Sequence, residues 1–313
     1  MKIKHFTHTS DFTREDYLNV FKIAEKLEER LNKKKDLTNF CRGKVLGVAF
    51  LKESTRTLAA FQSAIIKLGG GWMGLTTKKG TYLESGEEDI EDTLSSLAQF
   101  SDLIVIRSDE VNLDKLKREF KIPIINALAK DEHSINGLCF VYFLKKKFGD
   151  LSKIKVGFYG MTGASRPTKA SYRVLSLFGT QIYEDSVVEG LGISQEIEKE
   201  INRFGPIFKR AKLEDFISQV DFLWIVEGIP QAGTPENLVS EFNKKVKIIG
   251  LDEINKLKKG ALFYVCQPRQ LTDGRFTVDK VIDKHPRNTN FLGTAFLPGI
   301  IATIVYLLGV KIR

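Results

Sequence analysis

The chain has 313 residues, 42% of them apolar and 28% charged, and its 48 Lys and Arg against 39 Asp and Glu give a formal charge of +9. That length suits two domains of ordinary size, and the apolar content is enough for packed cores. No apolar run reaches membrane-spanning length, and the first residues lack the apolar segment of a secretory signal, so a cytoplasmic location is expected. Three widely spaced cysteines, Cys41, Cys139 and Cys266, form neither a zinc pattern nor a disulfide framework; Cys139 sits in an apolar helical stretch that suits a core. Lysine runs such as Lys33-Lys34-Lys35 and Lys145-Lys146-Lys147 read as solvated helix faces. Without interleaved aromatic residues they do not point to nucleic acid, and neither nucleic acid nor membrane is expected as a partner. An anionic substrate fits the sign of the charge.

The chain opens with a helix: Thr13 and Asp16 form a capping box, and Tyr17, Val20, Phe21, Ala24, Leu27 and Leu31 follow at helical spacing. Short β-rich runs are predicted at 45–51, 103–107, 155–159, 221–226 and 262–265, with a further short apolar run at 124–126. Helices are predicted between them at 57–68, 90–100, 134–148, 169–178 and 235–243, and a last one at about 298–308. Such alternation is the pattern of parallel sheets covered by helices on both faces. The segment Phe148-Gly149-Asp150-Leu151-Ser152 breaks a helix before a fresh strand begins, which makes it the best internal boundary. The expected fold class is α/β, two doubly wound parallel-sheet domains with the cleft between them.

In open α/β sheets ligands bind beyond the carboxyl ends of the strands, so the residues just after each β-run carry the most information. After the first comes Ser54-Thr55-Arg56-Thr57, opening a helix. Free backbone N–H groups, a helix dipole, hydroxyls and a guanidinium gathered at one turn suit a phosphate. The alternative is that Ser and Thr merely cap the helix and Arg56 points to water. Arg107 follows the second run, His133 comes shortly after the 124–126 run, and Arg166 follows the run at 155–159. Glu227 and Cys266-Gln267-Pro268-Arg269 end the last two. Cationic groups at several strand ends are poor core residues, and together they describe a site for an anion.

The order and spacing of these residues resemble the aspartate/ornithine carbamoyltransferase family, with the chain length closer to the aspartate branch. The likeness is best in the first half: the amphipathic first helix, the 44–75 segment with Phe61, Leu68 and Gly69, then Asp92-Thr93, Val105-Ile106-Arg107, Asn126-Ala127 and His133. The resemblance implies that Ser54, Thr55, Arg56 and Thr57 hold the phosphate of carbamoyl phosphate. Arg107 would reach both phosphate and carbonyl oxygen, and His133 would hydrogen-bond the carbonyl oxygen. Arg56, Thr57, Arg107 and His133 are thus the expected catalytic groups. Such chemistry needs fixed donors where charge grows, and requires no metal, cofactor or covalent intermediate. The resemblance also implies residues 1–137 as the carbamoyl-phosphate-binding domain, with a C-terminal helix in 291–313 packing back on it, and 138–290 as the acceptor domain. A homotrimer with shared sites follows from it as well.

The chain departs from the family pattern in several places. Leu58 stands where a second arginine usually follows the Ser-Thr-Arg-Thr turn, and His-Pro-Thr-Gln is replaced by His133-Ser134-Ile135-Asn136, so Asn136 offers an amide one methylene shorter. In the aspartate branch a lysine on a mobile loop enters the neighbouring subunit's site; Ser85-Gly86 fall there, with Lys78 and Lys79 earlier in the same loop. Arg166 falls where the family grips the acceptor's α-carboxylate, with a surface role at a helix N-terminus as the alternative. Glu227 lies near the position of an arginine that binds the aspartate side chain, and a carboxylate there would repel L-aspartate. Gln267 and Pro268 complete the acceptor side by the same layout, Pro268 suiting a cis bond that aims backbone carbonyls at the amine. The expectation is a carbamoyltransferase for an amino-acid-like amine other than L-aspartate. Two other readings remain: an inactive or regulatory paralogue, and a nucleotide-dependent oxidoreductase suggested by Gly157, Gly160 and Gly163 followed by Glu184 or Asp185.

Overall fold

The structure is a computed structural model, and it describes residues 3–130, 132–226, 228, 230, 234–265 and 278–312. Its contacts divide the chain into two units, Met1–Tyr142 with Leu292–Arg313, and Phe143–Phe291.

The first unit holds strands β1 (Val45–Phe50), β2 (Gly71–Leu75), β3 (Leu103–Arg107) and β4 (Ile124–Asn126). Its helices are α1 (Arg14–Asn32), α2 (Arg56–Lys67), α3 (Tyr82–Ser85), α4 (Ile90–Gln99), α5 (Leu113–Glu119) and the start of α6 (Ser134–Phe148). All strand pairs are parallel, in the order β2-β1-β3-β4. Phe6 extends the sheet beside β4: its N–H donates to the Ile124 carbonyl at 2.8 Å, and its own carbonyl accepts from Asn126 N at 2.9 Å. One face of the sheet is covered by α4 and α5, packing Leu94, Leu113 and Leu116 onto Ile104, Ile106 and Ile124. Continuous apolar strands of this kind are what burial on both faces requires.

The capping box at α1 forms as the spacing predicts, Thr13 Oγ1 and the Asp16 carboxylate each meeting the other's backbone N–H. Asp16 also accepts from Lys4 and Tyr306, which joins the N-terminal segment, α1 and the last helix. Burial alone would raise the Asp16 carboxyl, but the hydrogen bonds from Lys4, Tyr306 and Thr13 outweigh it and bring it down to about 2.

The second unit holds β5 (Lys155–Tyr159), β6 (Gln181–Asp185), β7 (Phe208–Arg210), β8 (Phe222–Ile225) and β9 (Leu262–Val265), parallel in the order β7-β6-β5-β8-β9. Helices α7 (Arg166–Ser176), α8 (Gln195–Asn202), α9 (Leu213–Phe216), α10 (Glu236–Lys245) and α11 (Leu251–Lys256) accompany them. The final helix, α12 (Leu297–Leu307), belongs to the first unit and packs on α1 and α2.

The division falls inside α6, so the break at 148–152 ends a helix and not a unit. The reason lies in two neighbouring side chains. Tyr142 stacks near Phe21 and donates to Glu28 at 2.8 Å in the first unit, whereas Phe143 packs on Phe222 and Phe291 in the second. Cys41 and Cys139 are both buried, which pushes their thiols up, Cys41 to about 11. Among the described residues no helix is long and apolar enough to cross a membrane, and no group of three or more His, Cys, Asp and Glu is placed to hold a metal ion.

Candidate active site

In the first sheet the chain runs outward from β1 to β2 and then crosses to β3, so the carboxyl ends of β1 and β3 form the switch point where ligand crevices open. Ser54-Thr55-Arg56-Thr57 follows β1 directly. Arg56 is the first residue of α2, one position ahead of the predicted start. Thr57 is buried, Ser54 half-buried, and Thr55 and Arg56 exposed. Ser54 Oγ accepts a long bond from Leu58 N at 3.4 Å, and Thr55, at the N-cap, makes no side-chain cap bond. Side-chain capping therefore accounts for little of this turn's hydroxyl content, and the first turn of α2 has backbone N–H groups without intrahelical partners.

Arg107 ends β3 opposite Phe50 of β1. Its Nε donates to the Glu53 carbonyl at 3.0 Å, just before Ser54, and its Nη1 donates to the Ala127 carbonyl at 3.2 Å. One guanidinium thus fixes the turn after β1 against the segment after β4. That segment turns sharply. Leu128 has φ of 116°, a conformation rarely adopted by residues with a side chain, with its N–H on Asn126 Oδ1 at 2.8 Å and its carbonyl accepting from Ser108 N at 3.2 Å. The chain then reaches His133, whose carbonyl accepts from Asn136 N and Gly137 N as α6 begins. His133 is 4% exposed and Asn136 9%. Asn136 Oδ1 is buried and accepts no hydrogen bond among the described residues. An orphan acceptor of that kind is costly unless a ligand donor meets it.

The structure therefore gathers Ser54, Thr55, Arg56, Thr57, Arg107, His133 and Asn136 at the carboxyl edge of one sheet. Arg166 belongs to the second unit, where it opens α7, half-buried behind the Ser165 N-cap. Glu227, Gln267 and Pro268, with Cys266 and Arg269, lie outside the described residues. Lys78 is paired within the chain, its Nζ 2.6 and 2.7 Å from the two Glu110 oxygens; Lys52, beside the phosphate turn, pairs with Asp109. The sequence reading passed over Glu132, a carboxylate 2% exposed directly before His133. Its burial is seen only in the structure.

The two acids of the dinucleotide pattern in the second unit are both tied to neighbouring residues of the fold. Glu184 Oε1 accepts from Thr162 Oγ1 at 2.5 Å, Tyr172 OH at 3.2 Å and Ile193 N at 3.3 Å, with Arg210 Nε 3.6 Å from Oε2. Burial raises its carboxyl against those bonds. Asp185 accepts from Val187 N and Leu213 N. Both acids thus make contacts within the fold, while Glu184 Oε2 accepts no hydrogen bond among the described residues.

Comparison with known proteins agrees with the arrangement. The family profile for the aspartate/ornithine carbamoyltransferase carbamoyl-P binding domain matches residues 4–146. An aspartate carbamoyltransferase catalytic subunit of Thermococcus onnurineus is 34% identical over 218 residues, 69% of each chain. One from Saccharolobus islandicus is 29% identical over 286 residues, covering 91% of this chain and 90% of the other. Among solved structures, the catalytic subunit of M. jannaschii aspartate transcarbamoylase superposes with a TM-score of 0.82 at 25% identity, covering 98% of both chains. Ornithine carbamoyltransferase from Pyrococcus furiosus shares the fold, with a TM-score of 0.84 at 21% identity over 99% of both chains. With a relative this similar over two thirds of its length and a family profile matching residues 4–146, the chain belongs to the aspartate/ornithine carbamoyltransferase family of transferases.

Proposed function

We propose that this protein moves the carbamoyl group of carbamoyl phosphate to the amino group of an amino-acid-like acceptor. The observation that carries the reading is the buried, unmatched acceptor Asn136 Oδ1 close in sequence to His133, in the segment after β4, one strand over from Arg107 at the end of β3 and two from the 54–57 turn after β1. A carbamoyl group suits that set: its NH₂ can donate to the unmatched Asn136 Oδ1, and its carbonyl oxygen can accept from His133 and Arg107. Ser54, Thr55, Arg56, Thr57 and Arg107 then hold the phosphate. Residues 1–137 with the helix in 291–313 serve as the carbamoyl-phosphate half, and 138–290 as the acceptor half.

In the reaction the amine nitrogen bonds to the carbamoyl carbon while the bond from that carbon to the phosphate oxygen breaks. Negative charge grows first on the carbonyl oxygen and then on phosphate, where fixed cations and N–H donors are worth most. The departing phosphate takes the amine proton, so no side-chain base is needed. Arg166 grips the α-carboxylate of the acceptor, and Gln267, Pro268 and Glu227 face its remainder. The exclusion of L-aspartate drawn from Glu227 finds no support in the relatives, which are named aspartate carbamoyltransferase catalytic subunits. L-aspartate therefore stands first in an acceptor panel, with neutral and cationic amino acids beside it.

Calorimetry with carbamoyl phosphate tests the donor site. Arg56→Ala is expected to weaken binding by roughly tenfold or more, the worth of a charge-assisted pair. Absence of heat with the intact protein would end the reading. Phosphate release across the acceptor panel then identifies the amine.

A further inference from the structure

We propose that Glu132 is a positioning residue that fixes His133 and Asn136 by clamping the turn that carries them to the first residues of the chain. The inference rests on the reading of His133 as a donor to the carbamoyl oxygen.

A carboxylate buried to this extent is expensive unless its oxygens are satisfied, and an apolar side chain would fill the same space at less cost. Among the described residues its carboxylate has Thr9 and Ser134 as hydrogen-bond partners. Thr9 N and Ser134 Oγ donate to Oε1, the latter at 2.8 Å, and Thr9 Oγ1 donates to Oε2 at 3.0 Å. His8 Nδ1 stands 3.9 Å from the same carboxylate. Glu132 and its partner Ser134 flank His133 in the sequence. Thr9 is itself held by α1, since Tyr17 OH donates to its carbonyl at 2.8 Å. Ser134 is the first residue of α6, and its hydroxyl also meets the Thr7 carbonyl at 3.0 Å. The Glu132 carbonyl accepts from Ala129 N at 3.1 Å and Asn126 Nδ2 at 3.3 Å, and that amide also reaches the Thr7 carbonyl at 2.7 Å. The backbone is therefore pinned immediately before and immediately after His133. None of these bonds uses the imidazole.

The arrangement answers a mechanical need. Between β4 and α6 the chain passes through Leu128 in a disfavoured conformation, and a short turn under strain keeps one shape only if its surroundings over-determine it. Glu132 supplies the far anchor of that turn, and Arg107, through Ala127, supplies the near one.

The test uses the full chain with Glu132→Gln, which keeps volume but puts an NH₂ where one accepting oxygen stood, and with Thr9→Val, which removes a partner and leaves the acid. The chain has four histidines, so the His133 imidazole signal in a ¹H–¹⁵N spectrum is assigned by its loss in His133→Ala. Both variants are expected to shift that signal while the His285 signal stays in place. In steady-state assays both should lower kcat by roughly ten- to a hundredfold, the scale of a small misplacement of a reacting group, with KM for carbamoyl phosphate changed less than about threefold. Glu132→Gln added to His133→Ala should cost almost nothing more. An unmoved His133 signal, an unchanged kcat, or losses that simply add would each overturn the proposal. Wild-type protein that turns over no amine would instead defeat the functional reading, and the imidazole spectrum would still decide whether Glu132 places His133.

Discussion

At Arg107 a single side chain carries two kinds of work. It braces two turns, Nε on the Glu53 carbonyl and Nη1 on the Ala127 carbonyl, and in the proposed reaction it also meets phosphate and the carbamoyl oxygen. Leu128, next to Ala127, shows what that bracing sustains. A φ of 116° costs a residue with a side chain about 1–3 kcal/mol. Replacing a half-buried leucine by glycine ordinarily loses about 1 kcal/mol of burial and up to about 1 kcal/mol of backbone entropy. Relief of strain should offset both, so Leu128→Gly is expected to leave unfolding free energy in urea within about 1 kcal/mol of the parent. A loss of two or more would mean that the turn is relaxed. The charged and hydroxyl residues of this site were legible in the sequence because cationic groups recurring just after β-runs are poor core residues and fall where ligands bind. Leu128 and Glu132 were not legible. Leucine gives no local warning of a positive φ, and an acid in a polar turn reads as solvated until the donors from residues 9 and 134 are seen.

Among the elements, those built as continuous apolar runs, β1, β3, β5, β8 and β9, stand where the sequence places them, and the hidden strands have specific reasons for being hidden. In β2, Gly71 and Trp72 lie on an exposed edge, so half its residues carry no burial signal. The strand β6 ends in Glu184 and Asp185, whose charges suggest a loop until their bonds to Thr162, Tyr172, Val187 and Leu213 are counted. Asp16 makes the corresponding point for helices, since its cap at α1 is local but its ties to Lys4 and Tyr306 span the chain. Its carboxyl lies near 3.8 when unfolded and about 2 when folded, so its stabilisation is complete above the higher value and disappears as pH falls through the lower one. Discounted for the half-exposed Lys4, that is about 1–2 kcal/mol. Asp16→Asn should lower the melting temperature at pH 7 and flatten its fall between pH 4 and 2; a parallel fall in both proteins would refute the assignment.

For the whole molecule, the two-sheet plan was readable because parallel sheets demand alternating apolar strands and amphipathic helices, whereas the unit boundary within α6 depends on which way Tyr142 and Phe143 turn. The edge at β2 is exposed, with Trp72 more than a third accessible, and an open edge carrying a large apolar side chain is normally covered; the family resemblance implies a homotrimer. Light scattering should give three times the 35.4 kDa chain mass, and a monomer at assay concentration would argue against shared sites.

The return of α12 to the first unit has a bearing on biosynthesis. A chain leaving the ribosome exposes residues 1–142 early, yet the apolar flank of α1 and α2 stays uncovered until the final two dozen residues emerge. The second unit, unbroken in sequence, has all its strands in hand before then. The half made first thus closes last, and nascent chains halted just short of residue 297 should be those that chaperones hold longest.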